Sequence, residues 1–559
     1  MWQRVALIGF SGSGKTTTAG RLSQLTGWPA IDIDEDLERH FGTTIPKVFA
    51  NQGEDVFRQA ERAHLVAACA RDQVIIATGG GASAQPSAWT AGLLGNPATL
   101  TVALDADPEI SLRRLRNQQA EEGAAYTRPM IEGDDPLTRI ARLKESRQEA
   151  YDRAQITLNV DYTSAETIAA EIKSLLDQTL DPASPSVTLR APGGDSRIFV
   201  HQGLLAKAGV LIRNAFPRSI RSWVISDANV ATLHGPALKA TLEQHDFEVR
   251  GLTVNPGESS KSLKTAGELY DQMLDGGVER SDIVVALGGG VIGDLAGYIA
   301  ATVLRGIGLV QVPTSLLAMV DSSAGGKTGI NHRAGKNLIG AFYQPPLVLI
   351  DPLTLHTLPP RELHQGWAEV IKHAVIQPST PGGERADLFC FLQRNADHLL
   401  ALDEPATSYL IRRNVELKSR VVEADERESG IRAYLNFGHT LGHAIEASNY
   451  QHLHGEAIAL GLRAAAALSV GANGADAGSA RELCDLLDRY HLPGTSEIDP
   501  HRVLELIKSD KKRVHGSQRW VLMKRNGGVE IREDVDDRLV LMALETISAG
   551  VARGGRDLL

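Results

Sequence analysis

The stretch "RVALIGFSGSGKTTTAGRLSQLTG", residues 4–27, constrains the fold more than any other part of the sequence. A short apolar run leads into Gly9–Thr16, which fits G-x-x-x-x-G-K-[ST], and an amphipathic run follows. A strand that passes through glycines straight into a helix turns backbone N–H groups inward at a helix N-terminus, where they grip phosphate. The expected cradle is Gly12, Ser13, Gly14, Lys15, Thr16 and Thr17. Lys15 supplies a point charge for the β- and γ-phosphates of a nucleotide, and the Thr16 hydroxyl suits Mg²⁺. The motif gives nucleotide binding without specifying the chemistry, and a GTPase-like switch also satisfies it.

The 559 residues exceed a single core, and at roughly 100–200 residues per domain they suggest three or four. Residues 1–175 alternate short apolar runs ("RVALIGF", "PAIDID", "QVIIATGG", "ATLTVALD") with amphipathic ones, the pattern of a parallel α/β sheet. Residues 176–190, rich in Pro, Ser and Asp, read as a linker. A second α/β pattern, with a dinucleotide-type glycine turn, fills 191–355; beyond it strand signals fade, and 356–559 reads as a mostly α-helical, metal- and substrate-binding region. Residues 111–125 fit no assignable pattern.

A net charge of −10 offers no electrostatic footprint for nucleic acid. Three scattered cysteines argue against a disulfide framework and a thiolate metal site, so any metal must be held by histidine and carboxylate. The most apolar run, 283–304, carries Asp294 and several glycines, and reads as a buried strand–turn–helix rather than a membrane span. With no signal peptide in view, a cytoplasmic protein without membrane partners is expected.

In the first region Asp32 and Asp34 end the second strand candidate, beside the phosphate loop. One carboxylate can support the Mg²⁺ shell while the other accepts a substrate hydroxyl proton. "EDVFRQAE" brings Arg58, "ATGGGAS" brings Gly80 and Gly81, and "YTRPM" and "ESRQEAY" bring Arg128 and Arg147. In this order the motifs resemble shikimate kinase across nearly the whole region. The resemblance implies that Asp34, Arg58, Gly80, Gly81 and Arg147 hold shikimate, with the two guanidinium forks on its carboxylate. It also implies that Arg128 closes a lid over ATP.

In the second region "GGGVIGD" (288–294) satisfies G-x-G-x-x-G, a weak signal alone because no acid follows about 20 residues on. Asp227 and Asn229 instead end an earlier strand candidate, placed for ribose hydroxyls, and Glu258 and Lys261 add polar groups. A pyrophosphate on the turn containing Gly290, Val291, Ile292, Gly293 and Asp294 suits a crevice at the sheet's carboxyl edge. Residues 320–337, with Asp321, Lys327, Lys336 and Asn337 among glycines, suggest a loop folding over an anion.

In "LNFGHTLGHAIE" (435–446) His439 and His443 leave one helix face a turn apart, and spacing alone nominates both as metal ligands. Glu369 in "WAEVIKHAVI" and His454 in "HLHGEAI" compete for the same ion. With P-G-E-x-x-K, G-G-G-V-I-G-D, "PTSLLAMVDSSAGGKTGIN", A-E-V-I-K and "HGEAIALG", residues from about 190 to 559 resemble 3-dehydroquinate synthase. That resemblance implies a different set: Zn²⁺ (or Co²⁺) on Glu369, His439 and His454, with His443 facing the substrate instead.

The likeness further implies NAD⁺ and the substrate 3-deoxy-D-arabino-heptulosonate 7-phosphate. Lys327, Asn337, Lys372, Arg432, Asn436 and His443 would handle the substrate, with Asp321 in the catalytic group. The dinucleotide site would extend to Thr314, Ser315, Lys327, Lys336, Thr354, Leu355, His356 and Thr357. Arg305 would reach across a homodimer, and Lys508, Lys511 and Lys512 are left as alternatives for a further basic contact. A bifunctional fusion follows. Its rivals are another sugar-phosphate cyclase, a metal-dependent polyol dehydrogenase, and a kinase-like module that only senses ATP.

Overall fold

A computed structural model describes residues 2–122, 129–177, 180–449, 451–509 and 518–549. The chain forms two compact units, Met1–Thr179 with Cys390–Ala406, and Leu180–Phe389 with Thr407–Leu559.

The first unit is a parallel sheet of β1 (Arg4–Ile8), β2 (Ala30–Asp32), β3 (Val74–Ala77), β4 (Thr99–Asp105) and β5 (Ile156–Asn159), in the order β2-β3-β1-β4-β5. β1, β3 and β4 are buried along their whole length, which is why they read as unbroken apolar runs rather than alternating ones. The phosphate loop follows β1, Asp32 ends β2 and Gly79–Gly81 follow β3, so the sheet delivers all three motifs to its carboxyl edge. The unassigned 111–125 stretch begins in the helix Pro108–Glu122, whose Arg114 donates to Gly12 O at 3.4 Å and Val160 O at 2.6 Å. Segment Cys390–Ala406 lies on the sheet's edge. The buried Asn395 amide accepts from Thr157 N at 2.7 Å and donates to Thr157 O at 2.9 Å, closing part of the open side of β5.

The second unit holds a seven-stranded sheet. Its strands are β6 (Val187–Ala191), β7 (Gly194–Val200), β8 (Arg221–Asp227), β9 (Glu248–Val254), β10 (Ile283–Gly288), β11 (Gly308–Pro313) and β14 (Leu347–Ile350). The order is β6-β7-β14-β11-β10-β8-β9, parallel except for the edge hairpin β6–β7. From β8 the chain first steps outward to β9, then returns to the other side of β8 with β10, and continues through β11 and β14. The direction of winding therefore reverses between β8 and β10, and a crevice opens there at the carboxyl ends.

Three sequence expectations need correction. Residues 320–337 are not a loop: a single π-helical turn, Ala318–Ser322, is followed by the antiparallel hairpin β12 (Lys327–His332) and β13 (Gly335–Phe342). Strands also recur beyond residue 355, as the hairpin β15 (Trp520–Met523) and β16 (Val529–Arg532). Strand β6 begins at Val187, within the stretch 176–190. The 283–304 run divides into β10 and the helix Gly290–Thr302. Among the described residues one helix, His454–Asn473, is long and apolar enough to cross a membrane, and most of it is buried inside the second unit.

Candidate active sites

At the first site the Gly14 cap adopts φ 89°, which releases the chain into the helix Lys15–Thr26. Lys15 Nζ donates to Gly9 O and Phe10 O, both at 2.9 Å, folding the lysine back over the loop. Thr16 Oγ1 donates to Asp32 Oδ2 at 2.5 Å, while Asp32 Oδ1 accepts from the N–H groups of Asp34 and Glu35. Burial lifts the Asp34 carboxyl to about 6, against the pull of Lys15. Arg58 is aimed by Glu61 at 2.7 Å and Glu54 at 3.1 Å, and Arg147 Nη1 donates to Gly80 O at 2.9 Å. A Cβ on Gly79 would meet Glu61 Oε1 at 2.5 Å and Asp34 Oδ1 at 2.7 Å; one on Gly81 would meet Arg58 Nη2 at 2.9 Å. The glycine run is thus pressed against the side chains expected to hold substrate. Arg128 lies outside the described residues.

At the crevice of the second unit Gly289 caps the helix Gly290–Thr302, so Gly290, Val291, Ile292, Gly293 and Asp294 form its first turns. Added Cβ atoms on Gly289 and Gly290 would meet Ser315 Oγ at 3.2 Å and Ser322 Oγ at 3.1 Å. Asp294 takes Lys261 Nζ at 2.6 Å, and Glu258 accepts from Asn331 at 2.6 Å. Asp227, at the end of β8, caps the next helix with Oδ1, accepting from Asn229 N and Val230 N. Thr314 N donates to Gly288 O. Thr354, Leu355, His356 and Thr357 form a short helical turn after β14, with Thr357 Oγ1 2.9 Å from His234 Nε2.

The helical region gathers the remaining residues. Glu369 is fully buried on the helix Pro360–Ile376, with Lys372 one turn on against its Oε2. Its Oε1 lies 3.3 Å from His439 Nε2 and 3.6 Å from His454 Nε2. Neither carboxylate oxygen has an aligned hydrogen bond. Burial alone would raise the Glu369 carboxyl, but Lys372 and His439 carry it well below the ordinary range. His443 joins the cluster: one ring nitrogen each of His439, His443 and His454 lies within 4.8 Å of the others. Ligand atoms around a tetrahedral Zn²⁺, each 2.0–2.2 Å from it, stand about 3.3–3.6 Å apart. A buried carboxylate with two imidazole nitrogens at that spacing from one of its oxygens fits such an ion. Glycines make the convergence possible, because the helices His439–Asn449 and His454–Asn473 cross where Gly461 lies against the backbone of Gly438 and Gly442.

Around this point Lys327 pairs with Glu428, and Asn436 Nδ2 donates to Glu428 Oε1 at 2.6 Å. The buried Arg432 donates to Gly325 O at 3.0 Å and to Glu426 O. Asp321 pairs with Lys418, and its carboxyl lies well below the ordinary range: burial opposes this, but Lys418 and Lys372 prevail. Lys336 reaches Glu446 at 2.6 Å. Asn337 adopts φ 57° on β13, and Arg305 is exposed with φ 69°. Lys508 pairs with Asp537 at the surface; Lys511 and Lys512 lie outside the described residues.

Three residues of this site escaped the sequence reading. Lys418 is buried and held down to about 8, because desolvation exceeds the support of Asp321. Its signal was a lone lysine on the apolar stripe Val415–Val421–Val422. Glu446 receives Lys336 and stands 3.4 Å from His454 Nδ1, the position of a carboxylate that orients a ligating imidazole. Burial would raise its carboxyl, but those two partners pull it to about 2. Glu428 had no signal beyond being an acid in a loop.

Known proteins bear on both units. Residues 11–177 match the family model for shikimate kinase; residues 251–365 and 366–513 match those for 3-dehydroquinate synthase, N-terminal and C-terminal. The 3-dehydroquinate synthase of Symbiobacterium thermophilum is 44% identical over 354 residues, which is 63% of this chain and 97% of that protein. That of Nitrosomonas europaea is 43% identical over 358 residues, 64% of this chain and 94% of that protein. Among solved structures, 2-epi-5-epi-valiolone synthase from Streptomyces hygroscopicus, with NAD⁺ and Zn²⁺ bound, is 29% identical with a TM-score of 0.58. The match covers 63% of this chain and 96% of that one. The first unit is thus a kinase of a known kind, joined to a cyclase that its relatives match almost end to end. The chain is a bifunctional shikimate-pathway enzyme, and it belongs to the 3-dehydroquinate synthase family with a shikimate kinase domain carried on the same polypeptide.

Proposed function

We propose that the two reactions run on the residues described above, each within its own unit. In the kinase, Lys15 and the loop N–H groups hold the phosphates of ATP, and Thr16 with Asp32 serves the Mg²⁺ shell. Arg58 and Arg147 take the shikimate carboxylate, and Asp34 accepts the proton of the hydroxyl that is phosphorylated. The raised pKa of Asp34 suits a base that must both take and return a proton near neutrality.

In the synthase, Glu369, His439 and His454 would hold a divalent cation and the crevice between β8 and β10 would hold NAD⁺; when bound, the two supply Lewis acidity and a reversible hydride acceptor. This chain's own residues bind and orient the substrate. Lys327, Asn337, Arg432 and Asn436 suit its phosphate and carboxylate, as charge-assisted donors. Lys372 stands beside Glu369, and Lys418 keeps Asp321 ionised and in place. His443, one turn from His439, is positioned to move a proton on the substrate side. The same reading takes the protein as a cytoplasmic homodimer with Arg305 serving the other copy's site; a monomer in sedimentation at assay concentration would refuse it.

The observation that carries this assignment is the buried Glu369 carboxylate, whose Oε1 faces two imidazole nitrogens at 3.3 and 3.6 Å. In the full chain, Glu369→Gln should lose the metal and the release of phosphate from the heptulosonate substrate while shikimate phosphorylation continues. Lys15→Met should do the reverse, lowering phosphorylation by about 10²–10³-fold. Net accumulation of NADH would instead indicate a dehydrogenase, and loss of both activities in Lys15→Met would indicate an ATP sensor.

A further inference from the structure

Glu428 has no part in the chemistry above, yet its carboxylate sits among the groups assigned to the substrate's anions. Oε2 takes the Lys327 ammonium, Oε1 accepts from Asn436 Nδ2 at 2.6 Å, and the Arg432 guanidinium is near enough to feel its charge. The loop that presents it is well braced. Asp425 accepts from the N–H groups of Ser429, Gly430 and Arg432 at 2.9, 2.7 and 3.1 Å. Within that turn Glu428 adopts φ 60°, a left-handed conformation that residues with a Cβ rarely take. Glycine would fit the backbone better, so what the position gains from Glu428 is the carboxylate.

We propose that Glu428 is a built-in stand-in for a substrate anion: in the empty site it neutralises Lys327 and occupies Asn436, and an incoming phosphate must take both donors from it. The proposal rests on the assignment of Lys327 and Asn436 to anion binding. Its consequence is selectivity by charge. At equal distance a dianion gains about twice the Coulomb energy of a monoanion, so a phosphate ester displaces the carboxylate where a singly charged anion does not. The same carboxylate returns to the donors as inorganic phosphate departs, which speeds its release. Burial would raise the Glu428 carboxyl, and Lys327 and Asn436 keep it below the ordinary range, so it stays an anion at neutral pH.

A plain structural clamp predicts the opposite sign, because a clamp that fails loosens Lys327 and weakens binding. The test uses the full chain loaded with metal and NAD⁺, with inorganic phosphate as the probe, titrated calorimetrically and as an inhibitor of cyclisation. Glu428→Gln should bind phosphate about tenfold more tightly. KM for the heptulosonate phosphate should fall with it, without a matching rise in kcat. Lys327→Met should bind phosphate more weakly. If Lys327→Met weakens phosphate binding and Glu428→Gln does not strengthen it, the stand-in role is overturned while the anion site remains. If Lys327→Met leaves phosphate affinity unchanged, the anion-site assignment fails and takes this proposal with it. Glu428→Ala, checked by its melting temperature, must show the same tightening should the glutamine variant fold poorly.

Discussion

Lys418 shows how one buried charge sets a working range. Its ammonium sits against Asp321 in the interior, and desolvation outweighs that partner, bringing it from the ordinary lysine value down to about 8. Below that pH the pair is cation and anion; above it the lysine loses its proton and Asp321 loses a counter-charge. The expected result is a fall in kcat/KM for cyclisation as pH rises through about 8. Lys418→Arg, whose guanidinium stays ionised, should move that limb to higher pH, and Lys418→Met should lower the rate and flatten it. A cyclisation profile level from pH 7 to beyond 9 in the parent enzyme would remove Lys418 from this role. His373, buried behind the same cluster, is held near 4 by burial and by Lys372, so it stays neutral across this range.

At the scale of elements, the metal-site geometry depends on how closely two helices approach. A Cβ on Gly461 would fall on Gly438 O and 2.6 Å from Gly442 N, both backbone atoms that cannot swing aside. Gly461→Ala should therefore push His439–Asn449 away from His454–Asn473, at about 1–3 kcal/mol in stability. It should also weaken metal retention, read by equilibrium dialysis against a chelator, while kinase activity stays intact. The reason for that glycine was not legible in the sequence, since close approach between helices leaves no periodic trace. What was legible had strong local grammar: the strand–glycine–helix turns at Gly9–Thr16 and 288–294 both fold as read. The hairpin β15–β16 was missed although Asn526-Gly527-Gly528 between apolar alternations is a hairpin signal. Residues 320–337 misled because glycines and lysines also suit a two-stranded ribbon. Lys418, Glu428 and Glu446 share a different difficulty. Each matters through partners distant in sequence, and a residue type alone does not reveal such pairing.

At the scale of the whole molecule, the two proposed sites fall in separate units while the stretches of sequence that build those units interleave. The first unit contains Cys390–Ala406, whose Asn395 satisfies Thr157, while Arg394 pairs with Asp105 at 2.9 Å and Lys144 shares that carboxylate at 2.7 Å. A gene cut after Thr179 would therefore deliver the kinase with Thr157 stripped of its amide cover and Asp105 short of one cation. Bare strand margins recruit strands from other chains. The excised fragment should self-associate and lose phosphorylation on warming sooner than the intact protein, as light scattering and timed heat inactivation would report. Equal behaviour of fragment and parent would mean that the late segment is a passenger on the kinase. If the fragment does fail, natural gene fission at this junction has to be accompanied by a substitute for the Asn395 amide.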